Sequence, residues 1–172
     1  RKEKLADIIK KLMLMCNTHK LEIIEKMLQL SFESTIKQKT TDDCSILKTA
    51  DDATKNIFTV AEGASLTLGD SNADGELIID GNETLTTTTQ SLISVLGTLV
   101  LNEKSTLQNN KCKEGYATNG AAVYSDGGTV KILGGTVKNN SNSYKNNTGG
   151  AIYIKNGTFE MTAGIVSNNS SY

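Results

Sequence analysis

The chain of 172 residues has no proline and no tryptophan, one histidine, His19, and one arginine, Arg1. With a single histidine, no His-based metal cluster and no His-paired nucleophile can be assembled without His19. The three cysteines, Cys16, Cys44 and Cys112, are odd in number and widely spaced. They form neither a CxxC pair nor a zinc-ligand spacing, and read as free thiols or one disulfide. No run of about 20 apolar residues occurs, so no transmembrane segment is expected. Between Leu5 and Met15 a charged start leads into an apolar run, but Asp7, Lys10 and Lys11 interrupt it and no small-residue cleavage site follows. That is not the pattern of a signal peptide. The first residue is Arg1 rather than Met. Export information is expected to lie upstream or to have been removed, or the chain to be an internal fragment. A formal net charge of -1 gives neither nucleic acid nor an anionic membrane an electrostatic hold.

Hydrophobic content is 37%, low for a globular domain. Gly, Asn, Thr and Ser take up the difference, and these residues suit many tight turns between short strands. Their order repeats. Gly97-Thr98-Leu99-Val100-Leu101, Gly128-Thr129-Val130-Lys131-Ile132 and Gly157-Thr158-Phe159-Glu160-Met161 share one pattern. Each is followed by an Asn pair: Asn109-Asn110, Asn139-Asn140 and Asn168-Asn169. The Gly-to-Gly steps are 31 and 29 residues, and the Asn-to-Asn steps 30 and 29. A fixed period in this range signals stacked copies of one unit.

From Ile57 onward the apolar period is two, with turns at Glu62-Gly63-Ala64 and Gly69-Asp70-Ser71-Asn72. Each copy holds three short strands, as in Thr98 to Leu101. Three short strands with apolar residues recurring in register fit one coil of a parallel stack, with about 4.8 Å between coils. Val95, Leu99, Leu101, Val130, Ile132, Phe159 and Met161 are expected to line a continuous apolar column. Residues 57–172 are read as these repeats, with longer joins over 110–120 and 141–149 kept outside the stack.

The first third differs. Leu5, Ile8, Ile9, Leu12 and Met15-Cys16 follow helical spacing, as do Leu21, Ile23-Ile24, Met27-Leu28 and Phe32. These spacings predict helices over 4–16 and 19–35, the second N-capped by Thr18, with a single bent helix as the alternative. Residues 1–40 form a helical segment that would cap one end of the stack, and 41–56 a polar joint with a short strand near 45–48. An open end exposes strand edges, so a cover is physically useful.

Asn147-Thr148-Gly149-Gly150-Ala151-Ile152-Tyr153 leads into Gly157-Thr158-Phe159 and Val166-Ser167-Asn168-Asn169. This order resembles the right-handed β-helix repeats of bacterial surface and adhesin-like proteins. It is similar to chlamydial polymorphic outer-membrane proteins, which pair Gly-Gly-Ala-Ile with Phe-x-x-Asn. Residues 149–152 match the first motif in full, and Asn119-Gly120-Ala121-Ala122-Val123 is a weaker copy. Leu107, Val137 and Val166 stand where the second motif has Phe, which favours the broader class of secreted β-helix repeats. The resemblance covers about residues 57 to 172. It implies a mainly β fold, a right-handed single-stranded parallel β-helix of about four coils with an N-terminal α-helical segment. It also implies that these repeats belong to a longer ectodomain.

The Asn residues at 109, 110, 139, 140, 168 and 169 are expected to form a structural ladder or turn, the alternative being an exposed sugar-binding row. Asp70, Asn72 and Asp74 open like a calcium loop, but the closing acid falls one place early at Asp80 and the flanks read as strands. An ordinary turn is the main reading there, and no metal or cofactor is expected. Asn-x-Ser/Thr sequons begin at Asn82, Asn139, Asn146, Asn156, Asn168 and Asn169. Asp80, Glu103, Glu114, Asp126 and Glu160 fall at scattered phases of the repeat and make no acid/base couple. The expected role is a non-catalytic, secreted or surface-displayed adhesin-like scaffold at an extracellular location, binding a host or neighbour-cell protein or glycan. The alternative is a fragment of a glycan-binding or polysaccharide-degrading β-helix protein.

Overall fold

Every strand pairing among the described residues is parallel. Two-residue hairpins are thereby excluded, because parallel partners need a long return connection. The structure is a computed structural model that describes residues 21–22, 28–30, 33–36, 43–85, 88–113, 119–143 and 149–171. It is a parallel β-solenoid of about four turns.

Three columns of stacked strands build the body. The first contains β2 (Leu28–Leu30), β5 (Phe58–Val60), β8 (Ile93–Val95), β12 (Val123–Asp126) and β15 (Ile152–Lys155). The second contains β3 (Glu33–Ile36), β6 (Ser65–Leu68), β9 (Thr98–Leu101) and the first halves of β13 (Thr129–Lys138) and β16 (Thr158–Ser167). The third contains β1 (Leu21–Glu22), β4 (Cys44–Leu47), β7 (Leu77–Asp80), β10 (Ser105–Gln108) and the second halves of β13 and β16. A minor column joins β11 (Lys111–Cys112), β14 (Ser141–Asn142) and β17 (Ser170–Ser171).

Alternation along each strand makes one side of every column apolar, and parallel register lays like on like. Leu66, Leu99, Val130 and Phe159 follow one another in the second column, as do Leu68, Leu101, Ile132 and Met161. Ile46, Ile79, Leu107, Val137 and Val166 do so in the third. The interior members from Leu66 to Val137 are buried, and together they form one core. Burying each such side chain contributes roughly 1.5–3 kcal/mol. Phe159 and Met161 sit at the expected inward positions, but in the final coil they are 45% and 42% exposed.

The helix expected over 19–35 is not what the described residues show. Leu21–Glu22, Leu28–Leu30 and Glu33–Ile36 are strands paired with β4, β5 and β6. The open backbone edges of those three strands supply partners that the helical spacing of Leu21, Ile24 and Leu28 does not register. The stack thus extends toward the N-terminus as far as Leu21–Glu22. The helix expected over 4–16 lies outside the described residues. Within the expected joint, Cys44–Leu47 is a full member of the third column, and Ala50–Asp52 forms a single 3-10 turn.

Candidate functional site

The two members of each Asn pair do different work. Asn109, Asn139 and Asn168 have φ of 61°, 56° and 53°, and Asn82 has 60°. They turn the corner in left-handed backbone, which Asn tolerates better than other side chains with a Cβ. The second members turn inward. Asn110 N–H donates to Asn140 Oδ1 at 3.1 Å, and Asn140 N–H donates to Asn169 Oδ1 at 2.9 Å. Asn140 Nδ2 also donates to Lys138 O at 2.9 Å and Leu107 O at 3.1 Å, and Asn169 Nδ2 to Val137 O at 2.9 Å. The row thus satisfies backbone groups that the corner would otherwise strand in the interior. Asn110 and Asn140 are fully buried, so these two are not an exposed surface row.

Asp80 supports the same corner one coil earlier. Its carboxylate accepts from Asn82 N–H at 2.8 Å, Gln108 Nε2 at 2.8 Å and Asn109 Nδ2 at 3.1 Å. Asp70 accepts from the backbone N–H and the side-chain amide of Asn72, at 3.0 and 3.1 Å, an Asx turn. Asp74 is exposed on the same loop. No three His, Cys, Asp or Glu side chains gather into a metal-binding group among the described residues. Glu160 pairs with Lys131 at 2.9 Å on the surface, and Glu103 is exposed. Glu114 lies outside the described residues.

One outward-facing cluster stands out on the first column. The rings of Tyr124 on β12 and Tyr153 on β15 stack with centroids 6.0 Å apart and 4° between planes. Parallel register places them opposite one another, with Ser94 next in the same row. Two residues along, Asp126 accepts from Lys155 Nζ at 3.0 Å and from Asn156 Nδ2 at 3.3 Å. The hydrogen bond from Lys155 holds the Asp126 carboxyl below the usual carboxylate range, and Asp126 in turn raises the Lys155 amine. Burial and the neighbouring Asp126 charge push the Tyr124 phenol up. The patch combines flat apolar rings with a carboxylate, an ammonium and an amide, the groups that hold a polyhydroxylated or polar peptide ligand. The 29-residue step from Tyr124 to Tyr153 was present in the repeat, but only the register shows that the two rings meet.

A second cluster is internal. Lys48 follows β4 and is completely buried, its Nζ donating to Gln90 O at 3.0 Å. Burial lowers its amine to about 8, against the opposing pull of Cys112 and Asp52. Asn110 Nδ2 donates to the same Gln90 oxygen at 2.9 Å. Nothing in the local sequence around Lys48 distinguishes it from the other lysines. Cys112 is buried and in no disulfide, whereas Cys44 is disulfide-bonded.

Among the described residues no helix is long and apolar enough to cross a membrane. Comparison with protein families, curated proteins and solved structures finds no match to this chain.

Proposed function

We infer that this chain is a non-catalytic, adhesin-like repeat scaffold, a right-handed β-helix displayed at an extracellular or cell-surface location. It presents the outer side of its first column to a protein or glycan on a host or neighbouring cell. The observation that carries the reading is the stacked Tyr124–Tyr153 pair flanked by Asp126, Lys155 and Asn156. Solvent-facing aromatic pairs beside satisfied polar groups suit recognition of a ligand with apolar and hydroxylated faces. The acids inside the stack are taken up by structural bonds, as Asp80 is, which favours binding over hydrolysis. The disulfide at Cys44 agrees with an oxidising compartment. Right-handedness follows the strong preference of parallel crossover connections.

Glycan binding is the second reading, and the same tyrosine pair favours it. One experiment separates the two. The folded chain is screened against immobilised polysaccharides and against cell-surface protein extracts, beside the Tyr124→Ala/Tyr153→Ala double variant. Retention by a defined polysaccharide that the double variant loses supports the glycan reading. Protein capture lost in the same variant supports the first. Release of shortened sugar from any polysaccharide overturns the non-catalytic assignment.

A further inference from the structure

The ladder has one irregular end. Asn140 Oδ1 and Asn169 Oδ1 each accept the backbone N–H of the preceding coil's Asn, but Asn110 Oδ1 is buried with no hydrogen-bond partner. The cause lies one coil earlier. Gly81 is an extra residue between Asp80 and the left-handed Asn82, and its N–H is spent on Gln108 O. A Cβ at Gly81 would run into the Asn110 backbone. The bare glycine lets the Asn110 backbone pack directly against it, and Lys48, whose N–H donates to Asp80 O, comes from the coil on its other side.

Lys48 Nζ and Asn110 Nδ2 therefore converge on one acceptor, Gln90 O, at 3.0 and 2.9 Å. Two donors on one oxygen are held within about 6 Å of each other. Both side chains are completely buried, and burial outweighs the pull of Cys112 and Asp52 in setting the Lys48 amine at about 8. We propose that Lys48 and Asn110 join in an intramolecular isopeptide bond between Lys48 Nζ and Asn110 Cγ, a covalent staple across two coil steps.

The chemistry balances without any co-reactant. Burial holds the Lys48 amine at about 8, so its free form is present at pH 8 and attacks Asn110 Cγ. The new N–C bond forms as the Cγ–Nδ2 bond breaks. Nδ2 leaves as ammonia and collects the protons shed by Lys48, so ammonium and a secondary amide are the products. Burial favours the uncharged, nucleophilic amine, and fixed proximity replaces a bimolecular encounter. In the product Lys48 N–H keeps the bond to Gln90 O that both nitrogens now make. Ala121 O, which loses Asn110 Nδ2, retains Leu92 N–H at 3.1 Å.

The test is intact mass spectrometry of the full chain, reduced and denatured after incubation at pH 8. The expected mass is lower than the sequence mass by one ammonia, and a branched tryptic fragment links residues 48 and 110. The Lys48→Met variant keeps the full mass. Asp52→Asn removes a charge that holds the proton on Lys48, so the pH at which the rate levels off moves down. The rate in the parent rises with pH and levels above about 8, where the amine is free beside its titratable neighbours Asp52 and Cys112. Parent protein at full sequence mass, with no branched fragment, overturns the proposal whether or not the variants fold. So does an ammonia loss that persists undiminished in Lys48→Met, which marks succinimide formation at an asparagine, as at Asn119-Gly120 or Asn156-Gly157.

Discussion

Asn169 Oδ1 accepts two hydrogen bonds from a single residue of the coil below, from Asn140 N–H at 2.9 Å and from Asn140 Nδ2 at 3.1 Å. Asn140 is therefore a junction. Its own oxygen receives Asn110 N–H, while its amide also reaches Leu107 O and Lys138 O. Replacing it removes a partner from buried backbone groups that no water can serve.

Asn140→Ala is expected to destabilise the fold by about 2–4 kcal/mol, since an unsatisfied buried backbone group costs roughly 1–3 kcal/mol and more than one is created. Urea unfolding followed by circular dichroism measures this. A loss below about 0.5 kcal/mol would mean that the row contributes little.

Ser125 interrupts an aliphatic row. It lies in register between Val95 and Ile154, and its hydroxyl is buried with no partner. Ser125→Val is expected to stabilise the protein by about 1–2 kcal/mol, by removing an unpaired hydroxyl and adding apolar contact. The readout is the midpoint of chemical unfolding, and a lowered midpoint would show that the site has no room for the extra methyl groups.

Asp126 titrates below the usual carboxylate range because Lys155 donates to it. A carboxyl depressed by folding stabilises the native state above its unfolded pKa. That contribution is lost as pH falls through the depressed folded value. The melting-temperature difference between the parent and Lys155→Met is therefore expected at neutral pH and expected to vanish in strong acid. NMR titration should also show the Asp126 transition moving up toward the ordinary carboxylate range in the variant. Both groups are solvent-exposed, so the effect shrinks with added salt.

Much of the stack could be read from residue order because parallel register repeats one instruction in every coil. Gly-Thr openings, alternating Leu99/Leu101 and Val130/Ile132, and the Asn pairs each fall at the same place in successive copies. Three things were not readable. Leu21 to Ile36 carries apolar spacing compatible with a helix, and the strands Leu21–Glu22, Leu28–Leu30 and Glu33–Ile36 within it take their identity from the neighbouring edges of β4, β5 and β6. Lys48 carries no local mark of burial; what receives its amine is Gln90 O, forty-two positions away. The tyrosine patch depends on β12 and β15 aligning Tyr124 with Tyr153, which a motif search over single copies does not reveal.

β13 and β16 run unbroken through a bend at Gly134-Gly135 and Gly164, so one continuous ten-residue strand serves two walls. The bonds between coils run along the axis, while the covalent chain winds around it. Tension applied end to end would peel the turns beyond Asn110 one at a time, at low force. Load applied sideways would have to shear whole ladders at once, so the molecule is tougher across its width than along its length.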